Sequence, residues 1–291
     1  MKETTFSAYA YERDCLQLSE IDELLDRGLE LLSRTDLVST LSNGGSLFFP
    51  HTSILKCGIQ IAAAAFASLQ ACQKSGKNQI LALGVLHGYK DPILPLYVRE
   101  KAGENLLKDP LRRIFGHGMP YEELIAEEYS LESYLFLLRH AAMRLNMEMP
   151  KVVSRYCICV CGDPTSLSGI EDLQRIAKES IVVATADLYH HGMAYGFSKE
   201  QSMPISPEAY GLAHRIIEGS LNLMAGNDLL AFRKYCRDTL NDARDVGQIL
   251  CFLLGPLKGH LRDLTLVDIE YLYEGNPKPS WVAASLVELS R

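Results

Sequence analysis

Residues 181–192 read Ile181-Val182-Val183-Ala184-Thr185-Ala186-Asp187-Leu188-Tyr189-His190-His191-Gly192. A short apolar run gives way to an aspartate and two adjacent histidines. Apolar residues without polar alternation predict a strand buried on both faces, and such strands belong to parallel sheets covered by helices. Ser46-Leu47-Phe48-Phe49-Pro50 and the run from Gln79 to Leu86 have the same character, as does Val152–Val160. Between them lie segments with helical spacing: Lys56–Gln73, which is rich in alanine, Leu131 through Leu145, and Ile170–Lys178. Strand and helix alternate, so the fold class is α/β, with a mostly parallel central sheet flanked by helices.

The rest of the chain fits around this unit. Ile21, Leu24, Leu25, Leu29 and Leu32 recur every three or four residues and predict an amphipathic helix over 19–33, although Gly28 inside it costs about 1 kcal/mol relative to Ala. Residues 1–44 read as an N-terminal extension carrying that one helix. Residues 90–120 read as long loop with one short strand near Leu94–Val98. Helices are expected from Ser206 to Leu254, broken at Gly226-Asn227 and near Asn241. Strands are expected over Leu264–Tyr273 and Trp281–Glu288. No internal repeat or low-complexity linker divides residues 1–291, so a single domain is expected.

Composition excludes several functions. The formal charge is −7, with no basic cluster and no finger spacing of Cys and His, which argues against nucleic acid as a partner. The first residues, MKETTFSAYAYERD, hold no apolar leader, and Ile59–Ala71 is too short to span a bilayer. No membrane partner and a cytoplasmic location are the expectations. The eight cysteines include no C-x-x-C pair, as expected for reduced thiols. Cys157, Cys159 and Cys161 alternate, and a strand through them would place all three on one face, as small apolar residues or as a soft-metal site.

Ligands of open α/β sheets bind beyond the carboxyl ends of the strands. Three of the apolar strands end in histidine: Phe48-Phe49-Pro50 at His51, Ala82 to Leu86 at His87, and Val182 to Asp187 at His190. Their convergence predicts one imidazole-lined pocket. Neutral imidazole ligates iron, zinc, copper or nickel, and its other ring nitrogen needs an acceptor to hold it. Asp187, three residues before His190, is the candidate for that orienting role; a turn-forming residue is the alternative. Glu128 and Glu132, spaced i,i+4, read as carboxylates at a helix N-terminus. No G-x-G-x-x-G, P-loop, G-x-S-x-G or H-E-x-x-H occurs, so nucleotide and serine-hydrolase chemistry lack support.

Pro50-His51-Thr52-Ser53-Ile54-Leu55-Lys56-Cys57-Gly58 resembles the P-H-A-G-Y-x-Y-x-G motif of Memo-like proteins. Leu83-Gly84-Val85-Leu86-His87 resembles their L-G-P-x-H, and Glu128-Tyr129-Ser130-Leu131-Glu132 resembles E-H-S-x-E. Thr185 to Gly192 resembles S-S-D-F-x-H-W-G. The four occur in the family's order, and the likeness covers about residues 45–290. The resemblance implies a fold related to the class III extradiol dioxygenases, with non-haem Fe(II) as the expected divalent metal and zinc or copper as substitutes. It implies that His51 and His87 bind the metal and that His190 is a further ligand or the acid/base. Tyr129, His191 and Glu132 would line the pocket. A small molecule or peptide, and a radical-SAM companion protein, are the implied partners.

The chain departs from the family at Tyr129, Val85 and Ser53. In the turn Leu240-Asn241-Asp242-Ala243-Arg244-Asp245-Val246-Gly247 the family's cysteine position falls on Asn241. Asp242, one residue on, would complete a two-histidine-one-carboxylate set, or both would cap the next helix. Two functions follow: a metal-dependent oxidoreductase of dioxygenase type, or a non-enzymatic binding protein with a degenerate site. A zinc hydrolase ranks below both.

Overall fold

Eight strands among the described residues form one sheet: β1 (Ser46–Phe49), β2 (Gln79–Val85), β3 (Ile114–Phe115), β4 (Lys151–Cys157), β5 (Ile181–Thr185), β6 (His190–Gly192), β7 (Lys258–Asp268) and β8 (Ser280–Ser290). The computed structural model describes residues 10–87, 95–96, 98–99, 102, 104–126, 128–158, 160–269 and 277–291, and residues 5–9 by their backbone. The helices are α1 (Thr5–Cys15), α2 (Leu18–Leu32), α3 (Leu37–Ser42), α4 (Ile54–Ser75), α5 (Glu132–Arg144), α6 (Ile170–Glu179), α7 (Pro207–Ala225), α8 (Leu229–Asp238) and α9 (Ala243–Leu254).

The strand order is β3-β4-β2-β5-β1-β8-β6, with β7 also paired to β8. The sheet is therefore mixed, which corrects the expectation of a mostly parallel one. Its centre, β4-β2-β5-β1, is parallel. β3 is antiparallel on β4, and β8 is antiparallel to β1, β6 and β7. The apolar-run argument holds for the centre because those strands are covered on both sides. β7 is largely half-buried, as an edge strand need not be apolar on both faces.

Side chains alternate across the sheet. Leu47, Phe49, Ile80, Ala82, Ile181 and Val183 pack with α2 to α5. Phe48, Leu81, Leu83, Val182 and Ala184 pack with α6 to α9. The result is a three-layer α/β/α sandwich, and each fully buried Leu, Ile or Phe contributes about 1.5–3 kcal/mol. Helix α4, long and apolar enough to cross a bilayer by length and composition, has 78% of its most apolar window buried inside the fold. Gly28, unfavourable by propensity, lets α2 close on α4: an added Cβ would stand 2.6 Å from Ala62 Cβ.

Several local expectations change. Residues 5–42 hold three helices where one was expected. Residues 95, 96, 98 and 99 are helical, so the strand near Leu94–Val98 is not formed there; Leu94 and Tyr97 lie outside the described residues. β4 stops at Cys157, and Cys161 has φ +58°, so no continuous strand aligns the cysteines; Cys159 lies outside the described residues. β7 begins six residues earlier than its apolar half, at Lys258.

Candidate metal centre

The site forms where the parallel strands end. His51 follows β1 by two residues, His87 follows β2 by two and Asp187 follows β5 by two. Adjacent parallel strands bring these three carboxyl-terminal positions together. Asp242 arrives from the turn between α8 and α9, whose backbone is hooked to the β5 loop: Asp242 N–H donates to the Asp187 carbonyl at 3.0 Å.

Each histidine is held through Nδ1. Thr185 Oγ1 donates to the Phe49 carbonyl at 2.9 Å, so it accepts from His51 Nδ1–H, also at 2.9 Å. His87 Nδ1–H donates to Glu128 Oε1 at 3.0 Å, and the His87 backbone N–H donates to Oε2 at 2.7 Å. His190 Nδ1–H donates to the Leu240 carbonyl at 2.7 Å. A carbonyl or ionised carboxylate can only accept, so the tautomers follow from the network. All three rings thereby turn Nε2 toward one another or toward Asp242.

The distances match ligands that share an ion. His51 Nε2 lies 3.2 Å from His87 Nε2 and 3.5 Å from Asp242 Oδ2. His190 Nε2 lies 3.6 Å from the same oxygen. Two ligands at about 2.0–2.1 Å from a tetrahedral ion stand roughly 3.3 Å apart. Asp242 Oδ2 is buried and makes no well-formed hydrogen bond; His51 Nε2 at 3.5 Å and His190 Nε2 at 3.6 Å lie beside it, so its charge is met by a protonated imidazole or by a metal ion. Two overlapping trios, His51–His87–Asp242 and Asp187–His190–Asp242, each have ligand atoms within 4.8 Å of one another. These buried His and Asp groups can hold a divalent metal.

Charge is arranged to suit. Burial disfavours a charged His51, but Asp187, Asp242 and Glu128 outweigh it and push its pKa up to about 9. In the metal-free protein a second proton on His51 thus lets its Nε2–H donate to the Nε2 lone pair of His87 at 3.2 Å, where two lone pairs would otherwise face each other. Burial also opposes ionisation of Asp242, yet His190, His51 and His87 hold it well below the usual carboxylate range. Glu128 is likewise ionised despite its burial, through His87 and the N–H groups of His87 and Ser130.

The other expected residues fall out differently. Asp187 does not orient His190, whose Nδ1 goes to Leu240. Its Oδ1 accepts from the His51 backbone N–H at 3.3 Å, and its Oδ2 accepts from Thr52 Oγ1 and lies 3.5 Å from His51 Nε2. Asn241 Oδ1 accepts from the N–H of Ala243, the first residue of α9, at 2.8 Å and so holds the turn into the helix, while Asp242, the N-cap residue, makes no side-chain capping bond and serves the site. Tyr129 stacks on His87 with ring centroids 4.5 Å apart. Glu132 is not drawn in: as the first residue of α5 it pairs with Arg13 of α1 at 3.2 Å. His190 and His191 are neighbours on β6 and so point to opposite sides. His191 packs against Trp281 and Phe197, accepts from Met203 N–H at 3.1 Å, and is pushed below its ordinary pKa by burial.

Glu128, Thr185 and Thr52 carry orienting roles that sequence reasoning did not assign them. A threonine inside an apolar strand, in register two residues before Asp187, was the visible signal for Thr185. The Leu240 carbonyl leaves no mark in the side-chain pattern; its φ of +52° is a tertiary fact. No protein-family model and no curated protein matches this chain.

Proposed function

We propose that the protein is a Memo-like metalloprotein that holds one divalent ion at His51, His87 and Asp242, with His190 as the proton-handling group beside it. The observation that carries this reading is the convergence of Nδ1-anchored imidazoles on a buried carboxylate oxygen that makes no well-formed hydrogen bond. Two histidines and one carboxylate with open positions suit non-haem iron(II) among the common metals. The reaction class this supports is oxidation of a diol-like substrate, by likeness to the extradiol dioxygenases. That step from fold to reaction is an analogy.

A bound iron(II) ion would supply Lewis acidity and redox chemistry toward dioxygen. The chain's own residues do the rest. His190 presents an Nε2 lone pair and can take a proton from a substrate hydroxyl, while its Nδ1–H bond to the Leu240 carbonyl steadies the cation that results. Asp242 Oδ2, 3.6 Å away, stabilises the same charge. Glu128 holds His87 by ring and backbone together, and Tyr129 covers its face.

The test is metal analysis of untagged protein purified without chelators, followed by anaerobic loading with Fe(II). Close to one equivalent is expected, and oxygen uptake with a catechol panel then reports the reaction. Less than about a tenth of an equivalent after loading would refute the metal site. Full loading with no oxygen uptake would keep the site and discard the oxidoreductase reading in favour of binding.

A further inference from the structure

At the amino ends of β1 and β5, the opposite end of the sheet from the histidines, lies a cavity of about 230 Å³. Its walls come from α3, α6 and α9, with the half-buried Leu253 and Leu254 giving apolar surface and the buried Leu41 and Val182 at its floor. Lys77, Lys178 and Arg291 also line it, and no Asp or Glu side chain does. Among the described residues no carboxylate side chain pairs with any of these three cations, although the chain as a whole carries a formal charge of −7.

Lys77 is not a freely solvated surface lysine. It is half-buried, and its Nζ donates to the Ser180 carbonyl at 2.7 Å. Burial and then the neighbouring Arg291 charge lower its pKa. Positive charge held beside positive charge, at the mouth of a low-dielectric recess, focuses potential for an anion. Two of the ammonium's three donors remain for a ligand, and the guanidinium adds a planar fork suited to carboxylate or phosphate. At roughly 30 Å³ per water-sized group the recess holds about eight such groups, so the apolar part of the ligand is short.

We propose that this recess is a binding site for a small amphipathic anion, a carboxylate or phosphate head on a short alkyl body, with the head on Lys77 and Arg291 and the body against Leu253 and Leu254. The site is separate from the histidine cluster and does not depend on the metal reading.

Titration of the full chain at low ionic strength with hexanoate, hexyl phosphate and neutral hexanol tests it, followed by amide chemical shifts and calorimetry. At least one of the anions should bind ten times or more tighter than hexanol and shift amides of Lys77, Ala177 and Val182; the tighter of the two identifies the head group. Lys77→Gln combined with Arg291→Gln should weaken that anion at least tenfold, and metal content should stay at the wild-type level. Equal binding of hexanol, shifts confined to the histidine end, or undiminished binding by a folded double variant would overturn the proposal. The comparison of anion with hexanol on the wild-type chain decides the matter if the variant does not fold.

Discussion

Asp242→Asn keeps the shape of the side chain and removes its charge, and it separates two neighbours that sequence alone could not rank. A bound zinc ion in a four-ligand protein site is worth roughly 10–16 kcal/mol, or about 2.5–4 kcal/mol per ligand. An amide oxygen retains part of that, so the expected loss is about 3 kcal/mol, near 10²-fold in Kd. Asn241→Ala, one residue away, removes the acceptor of the Ala243 N–H and costs about 1 kcal/mol of stability as a lost hydrogen bond in the turn that enters α9. It should leave metal affinity within about threefold. Competition against a chromophoric chelator, with Zn(II) in air and Fe(II) under nitrogen, measures both variants, and thermal melts of the metal-free proteins measure stability. The reasoning fails if Asp242→Asn binds metal as wild type does, or if Asn241→Ala loses metal as strongly.

Three further outcomes follow from the geometry. Glu128→Gln weakens the grip on His87 by ring and backbone, and metal affinity should drop about 10- to 100-fold by the same competition assay; no change would deny Glu128 its orienting role. In the metal-free protein the His51 pKa is raised to about 9. Its charged form stabilises the fold fully below about pH 6.5, and that contribution is lost as pH rises through 9. Metal must displace the proton, so apparent affinity should improve by up to about tenfold per pH unit between 6.5 and 9, with about one proton released per ion at pH 7. Calorimetry in buffers of different ionisation enthalpy reads that number, and zero release would contradict the assignment. Gly192→Ala should destabilise by at least about 2 kcal/mol in chemical denaturation: φ there is +108° and an added Cβ would meet the Pro279 carbonyl oxygen at 2.1 Å. A wild-type midpoint would show that β6 can shift away.

Much of the site was legible because strand ends carry periodic information. His51, His87 and Asp187 each stand two residues past an apolar strand, and adjacent parallel strands bring such positions together whatever the connecting helices do. The choice of His190 over His191 came from the register of the family resemblance; alternation on β6 explains why only one of the two can face the site. Glu132 was expected in the pocket from the resemblance alone; α5 begins at Glu132 and turns it to Arg13, while Glu128 in the preceding turn faces His87.

What the sequence by itself determined is the α/β class, the doubly covered central strands and the histidines at two of their ends, His51 and His87; His190 lies on β6, a separate strand that pairs with β8. These follow from local patterns: short unbroken apolar runs for the strands and the 3.6-residue period for the helices. Tertiary structure alone decided the antiparallel strands around β8, because pairing partners across long separations leave little local trace. It also decided that Asp242 meets His51 and His190 while Asn241 holds the N–H of Ala243 in the turn into α9. One peptide unit rotates consecutive side chains to different sides, and the turn is oriented by contacts to residues 50 or more positions away, at the Asp187 carbonyl and His190 Nδ1.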